Sequence, residues 1–210
     1  MKLYAFPVAP NPTRIRLYLA EKREAGAEFD IEEVTVNLRE KEQQSAEHRR
    51  RNPLAKLPVL EIEDGVYLTE SLAIIEYLEE LAPDPPMIGA TPVARARTRE
   101  LERIIEIGVL RPIGEIVHAT VSPLGFPPNP SVAKHFRSLL PKNLAIVEER
   151  LCDGRPLLMG DQPSIADCTL AAALQFGRMG KVDLDPAYEN IARWDVAFRD
   201  RLSAKQVLLM

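Results

Sequence analysis

The first eighty positions alternate two hydrophobic rhythms. Lys2-Leu3-Tyr4-Ala5-Phe6 and Phe29 to Val36 alternate with the short period of strands. Between them, Pro12 to Ala25 places Ile15, Tyr18 and Leu19 on one face of a helix, with Pro12 suited to its first turn. Leu38 to Arg51 is a charged segment, helical or irregular, that Pro53 stops. Leu57 to Glu63 and Val66 to Leu68 flank Asp64-Gly65, a hairpin turn signal, and are expected to pair antiparallel. A helix is predicted from about Glu70 to Leu81.

Beyond Leu81 the rhythm changes. Ala82-Pro83-Asp84-Pro85-Pro86 cannot continue a helix, because each proline lacks a donor and restrains the residue before it. Helical periodicity then covers Thr91 to His118, Ser131 to Leu151, Ser164 to Met179 and Tyr188 to Leu202, broken at Ser122 to Pro130. The expected division is an α/β unit at 1–82, a linker at 83–90 and an all-helical unit at 91–210.

Composition narrows the function. The 210 residues are 46% hydrophobic and 28% charged, with no apolar run long enough for a membrane helix. No secretory signal pattern opens the chain, so a cytoplasmic location is expected. A formal charge of −4 argues against nucleic acid as a partner. Cys152 and Cys168 match no redox or zinc spacing; both are expected to be buried, inert thiols, and no metal is expected.

Two dipeptides carry candidate chemistry. Leu57-Pro58 is a candidate cis bond that would turn the Leu57 N–H and C=O outward to pair with an extended peptide; the alternative is a trans proline at a strand start. Glu70-Ser71 stands where a helix begins, so free N–H groups and the Ser71 hydroxyl can hold a carboxylate while Glu70 pairs with an ammonium. The alternative is that Thr69 or Ser71 caps the helix and Glu70 complements its dipole. Ser164 and Asp167 have capping-box spacing, a structural role.

Asn52-Pro53, Lys56-Leu57-Pro58-Val59-Leu60, Asp64-Gly65, Glu70-Ser71-Leu72-Ala73-Ile74 and Tyr77-Leu78, with Gly160 to Asp167, resemble the cytosolic glutathione transferases across both halves of the chain. The resemblance implies a thioredoxin-like N-terminal domain, an all-α C-terminal domain, glutathione as co-substrate and a homodimer. It implies a cis Pro58, Leu57 on the cysteinyl backbone of glutathione, and Glu70 with Ser71 on its γ-glutamyl end. Basic residues are implied near the glycine carboxylate; Lys56 is the best candidate, while Lys41, His48, Arg49, Arg50 and Arg51 read mostly as a solvated face.

The loop Phe6 to Arg16 departs from the family, with Pro10 or Asn11 where many relatives carry Ser or Cys. Tyr4 reads as a sheet residue, and Thr13 as already inside the helix. The expectation is therefore that the amino end of the first helix, with Asn11 as a donor, favours the glutathione thiolate. His118 and Ser122 are expected to hold a water or shape the acceptor pocket, which Val8, Ala9 and Phe126 would line. The leading expectation is conjugation of glutathione to an apolar electrophile. A glutathione-dependent lyase, dehalogenase or isomerase, or a non-catalytic scaffold of the same fold, are the alternatives. The absence of a Ser-Ser-Cys loop weighs against the maleylacetoacetate isomerase branch, and the absence of a loop cysteine against thiol transfer.

Overall fold

The computed structural model describes residues 1–209. A four-stranded sheet of order β2-β1-β3-β4 is built from β1 (Lys2–Ala5), β2 (Glu32–Thr35), β3 (Val59–Glu63) and β4 (Val66–Thr69). β1 and β2 run parallel, joined by α1 (Pro10–Glu24), while β3 is antiparallel to both β1 and β4. The β3–β4 hairpin turns at Gly65, whose φ of 76° glycine adopts without a Cβ penalty. A short helix, α2 (Ala46–Arg51), precedes β3, and α3 (Ser71–Leu81) follows β4.

Alternation along β1 divides its side chains between two clusters. Leu3 and Ala5 join the main core, while Tyr4 joins Val36, Leu57 and Val59 in a smaller one. The expected strand Phe29 to Val36 shortens to Glu32–Thr35, the stretch that pairs with β1. α1 starts at Pro10, two residues before the expected Pro12. It also buries more than the one face predicted: Leu17 is as buried as Ile15 and Tyr18, because two helices of the second half, at Ile165–Met179 and Leu202–Val207, cover it as well as α3.

The remaining described residues form α4 (Pro92–Ile105), α5 (Arg111–Thr120), α6 (Pro130–Arg150), α7 (Ile165–Met179), α8 (Glu189–Arg199) and α9 (Leu202–Val207). The expected helix Thr91 to His118 carries a π-helical stretch at Glu106–Leu110. Pro112 explains it, since a proline two residues on lacks the N–H that the Gly108 carbonyl would otherwise accept. Apart from its first residue, Leu202, where the expected helix Tyr188 to Leu202 ends, α9 lies outside every predicted element. Arg201 and Ser203 secure it to α1 by donating to Glu21 at 2.6–2.7 Å.

Buried polar groups brace each part from within. Lys22 donates to the carbonyls of Ala82 and Pro85 at 2.6 and 2.7 Å and pairs with Glu79 at 2.9 Å, pinning the proline-rich segment against α1 and α3. The Ser164–Asp167 capping box opens α7, and the Asp167 carboxylate accepts from the N–H groups of Ser164 and Leu158, the Ser164 hydroxyl and the Trp194 indole. Cys168 is buried, but Cys152 is exposed, contrary to expectation, because α6 ends just before it. Partial desolvation, with Glu149 beside it, pushes that thiol above its ordinary pKa. No described helix is long and apolar enough to cross a membrane.

Candidate functional site

Leu57-Pro58 is cis, and Pro58 is followed at once by β3. Neither its N–H nor its C=O has a hydrogen-bond partner among the described residues, so one residue of strand edge stands open beside the sheet. Lys56, next to it, is exposed, and its ammonium forms no ion pair among the described residues.

α3 starts at Ser71, one residue later than predicted. Glu70 takes the N-cap position with φ 66° and ψ 116°, a backbone that L-residues rarely adopt. Its side chain is exposed and makes no capping bond. The Ile74 N–H is the first to return a bond, to the Glu70 carbonyl, so the N–H groups of Ser71, Leu72 and Ala73 are unpaired. No acidic residue occupies the first turn, leaving the positive end of the dipole uncompensated.

Ser71 is more deeply engaged than the sequence suggests. Its hydroxyl oxygen accepts from Arg14 Nε at 2.7 Å and also from Arg14 Nη2. With both lone pairs filled, the hydroxyl has only its proton left to offer, and that proton suits a carboxylate. Arg14 Nη1 donates to Glu102 at 2.8 Å and to Glu106 at 2.7 Å, so this buried guanidinium links α1, α3 and α4. Burial pushes the Glu102 carboxyl up to about 7, while Arg14 beside it holds Glu106 below the usual range. No local sequence pattern signals this cluster, because its other members lie 57 to 92 residues from Arg14.

At the start of α1, prolines remove most donors. Pro10 and Pro12 have no N–H, the Ala9 N–H bonds to Phe6 and the Thr13 N–H to Ala9, so the Asn11 N–H is the free backbone donor of this turn. The half-buried Asn11 amide makes no side-chain hydrogen bond to another described residue. Thr13 spends its hydroxyl on the carbonyls of Pro7 and Ala9. Tyr4 donates to Glu61 at 2.8 Å and lies under Arg51; burial and that carboxylate push its phenol up to about 12. A phenol so perturbed is a poor source of thiolate stabilisation.

His118 and Ser122 meet at the end of α5, with Nδ1 3.0 Å from Oγ, and the Ser122 oxygen also accepts from the Leu124 N–H at 3.2 Å. Burial lowers the His118 pKa, and its ring packs 5.4 Å from Phe126 and 5.9 Å from Phe176. The structure thus joins His118, Ser122 and the exposed Phe126 into one group. Val8 and Ala9 stay half-exposed in the turn before α1, and no hydrogen bond or ring contact ties them to that group. Among the expected basic residues, His48 is buried rather than solvated, and Arg51 stacks on Tyr4 and pairs with Glu47.

Residues 1–80 match the family model for the glutathione S-transferase N-terminal domain, and residues 113–201 that for the C-terminal domain. The chain is 29% identical to glutathione S-transferase 2 of Saccharomyces cerevisiae, over 99% of this chain and 89% of that protein. It is 31% identical to probable maleylacetoacetate isomerase 1 of Drosophila melanogaster, over 91% of this chain and 74% of that protein. The crystal structure of Gtt2 from Saccharomyces cerevisiae matches the fold with a TM-score of 0.87 at 28% identity, covering 99% of this chain and all of that one.

Proposed function

The chain belongs to the cytosolic glutathione transferase family, and from that premise we propose that it transfers the glutathione thiolate to an apolar electrophile. The observation that carries the reading is the pairing of two open polar edges: the unpartnered N–H and C=O of Leu57, and the unpaired N–H groups and hydroxyl at the start of α3. A γ-glutamyl head group carries a carboxylate for Ser71 and an ammonium for Glu70, and the cysteinyl backbone then lies along Leu57. Lys56 offers its charge to the glycine carboxylate.

The sulfur in this pose rests near the first turn of α1. There the Asn11 N–H, the Asn11 amide and the helix dipole favour the thiolate. His118 and Ser122 hold a water within reach of the sulfur. With the His118 pKa lowered by burial, the ring is neutral at pH 7 and serves as a hydrogen-bonding group without adding charge. Phe126, with Val8 and Ala9, offers apolar surface to the acceptor.

Conjugation to an aryl halide forms a carbon–sulfur bond, breaks the carbon–halogen bond with release of halide ion, and consumes one glutathione per turnover. Isomerisation, favoured as a second reading by the similarity to probable maleylacetoacetate isomerase 1, adds the thiolate to an alkene, allows rotation and expels it again, regenerating glutathione. Incubation with glutathione and either an aryl halide or a cis-alkenyl diketo acid, with both thiol and product followed, separates them. Thiol loss matched to product supports transfer; product without thiol loss supports isomerisation; neither, despite glutathione binding, supports a scaffold of this fold.

A further inference from the structure

The Lys56 carbonyl, which shares its peptide unit with the open Leu57 N–H, accepts two hydrogen bonds. His48 Nε2 lies 3.1 Å from it and Asn52 Nδ2 3.0 Å. A carbonyl oxygen only accepts, so His48 Nε2 carries the proton in this contact. Both side chains are buried, at 1% and 3% exposure, which excludes competing water. The other ring nitrogen of His48 has no partner among the described residues, where this carbonyl is the ring's single hydrogen bond.

Asn52 is itself held in place. Its Oδ1 accepts from the Leu54 N–H at 3.0 Å, and its backbone carbonyl accepts from the Ala55 N–H at 2.9 Å. The Lys56–Leu57 peptide is trans. In a planar trans peptide the C=O and N–H point in opposite directions. Anchoring the oxygen toward His48 and Asn52 therefore turns the Leu57 N–H away from them, where it meets no partner among the described residues.

We infer that His48 and Asn52 are positioning residues for glutathione. Neither touches the ligand; together they orient the Lys56–Leu57 peptide so that the Leu57 N–H is aimed in advance at the cysteinyl carbonyl. This inference rests on the proposed pairing of glutathione with Leu57.

The test compares two ligands by calorimetry: glutathione, and its isostere with the Cys–Gly peptide bond replaced by a trans alkene, which lacks the cysteinyl carbonyl. The unaltered protein is expected to bind glutathione about fivefold or more tighter than the isostere, the worth of one neutral hydrogen bond. His48→Leu is expected to lower glutathione affinity about fivefold and leave isostere affinity unchanged, so the preference disappears. His48→Gln, whose amide nitrogen reaches the same place, retains the preference. Asn52→Asp keeps the acceptor for Leu54 but loses the donor, and gives the same reading if His48→Leu does not fold. Equal weakening of both ligands, or unchanged glutathione affinity in both variants, overturns the inference alone. An unaltered protein that binds neither ligand overturns the proposed site and the inference with it.

Discussion

Replacing Glu102 by glutamine changes one buried charge and little else. Glu102 Oε1 accepts from Arg14 at 2.8 Å and from the Thr169 hydroxyl at 3.2 Å, and the glutamine oxygen can keep both bonds. Oε2 is buried without a partner. Burial lifts this carboxyl from 4.5 to about 7. A carboxyl with a raised folded pKa holds its proton more tightly folded than unfolded. Its stabilising contribution is therefore complete below about 4.5 and lost as pH rises through about 7. The gap of about 2.5 pH units, at ~1.4 kcal/mol each, is worth about 3–4 kcal/mol. Glutamine does not titrate, so Glu102→Gln should gain about that much relative to the parent between pH 4.5 and pH 8. Urea denaturation of both proteins across that range measures it, and titrations common to both cancel in the difference. Glu106, held low by Arg14, remains to balance the guanidinium. A stability difference that does not vary with pH, or that moves against the variant as pH rises, refutes the reasoning.

Three further outcomes are expected. Ser71→Ala should weaken glutathione binding by about 1.5–3 kcal/mol in calorimetry and, by leaving Arg14 donors unsatisfied, lower folding stability by about 1–3 kcal/mol in denaturant titration. Asn11→Ala should raise the pH at which turnover begins, read from the pH profile of kcat/KM, because the thiolate loses a donor. Asp167→Ala should cost about 3–5 kcal/mol in thermal unfolding, since four buried donors lose their acceptor together.

Local chemistry made much of this fold legible. Asp64-Gly65 announced the hairpin, the prolines at 83, 85 and 86 ended the third helix, and Ser164 with Asp167 marked the start of α7. The start of α3 was readable from Glu70-Ser71, within one residue. Four features were not. The Arg14 cluster joins residues distant in sequence, and a charged side chain on α1 reads locally as solvent-facing. The burial of His48 depends on a carbonyl eight residues on. α9 has six residues, too few for periodicity to register, and is held by contacts with α1. The exposure of Cys152 was likewise invisible, because it depends on where α6 stops.

The account stands or falls on where glutathione lies, and a crystal structure of the complex tests this most directly. The predicted complex has the γ-glutamyl carboxylate within hydrogen-bonding reach of the Ser71 hydroxyl and N–H, the cysteinyl backbone paired with Leu57, and the sulfur beside the Asn11 turn. Glutathione seated away from α3, or with its sulfur directed away from the start of α1, would contradict it.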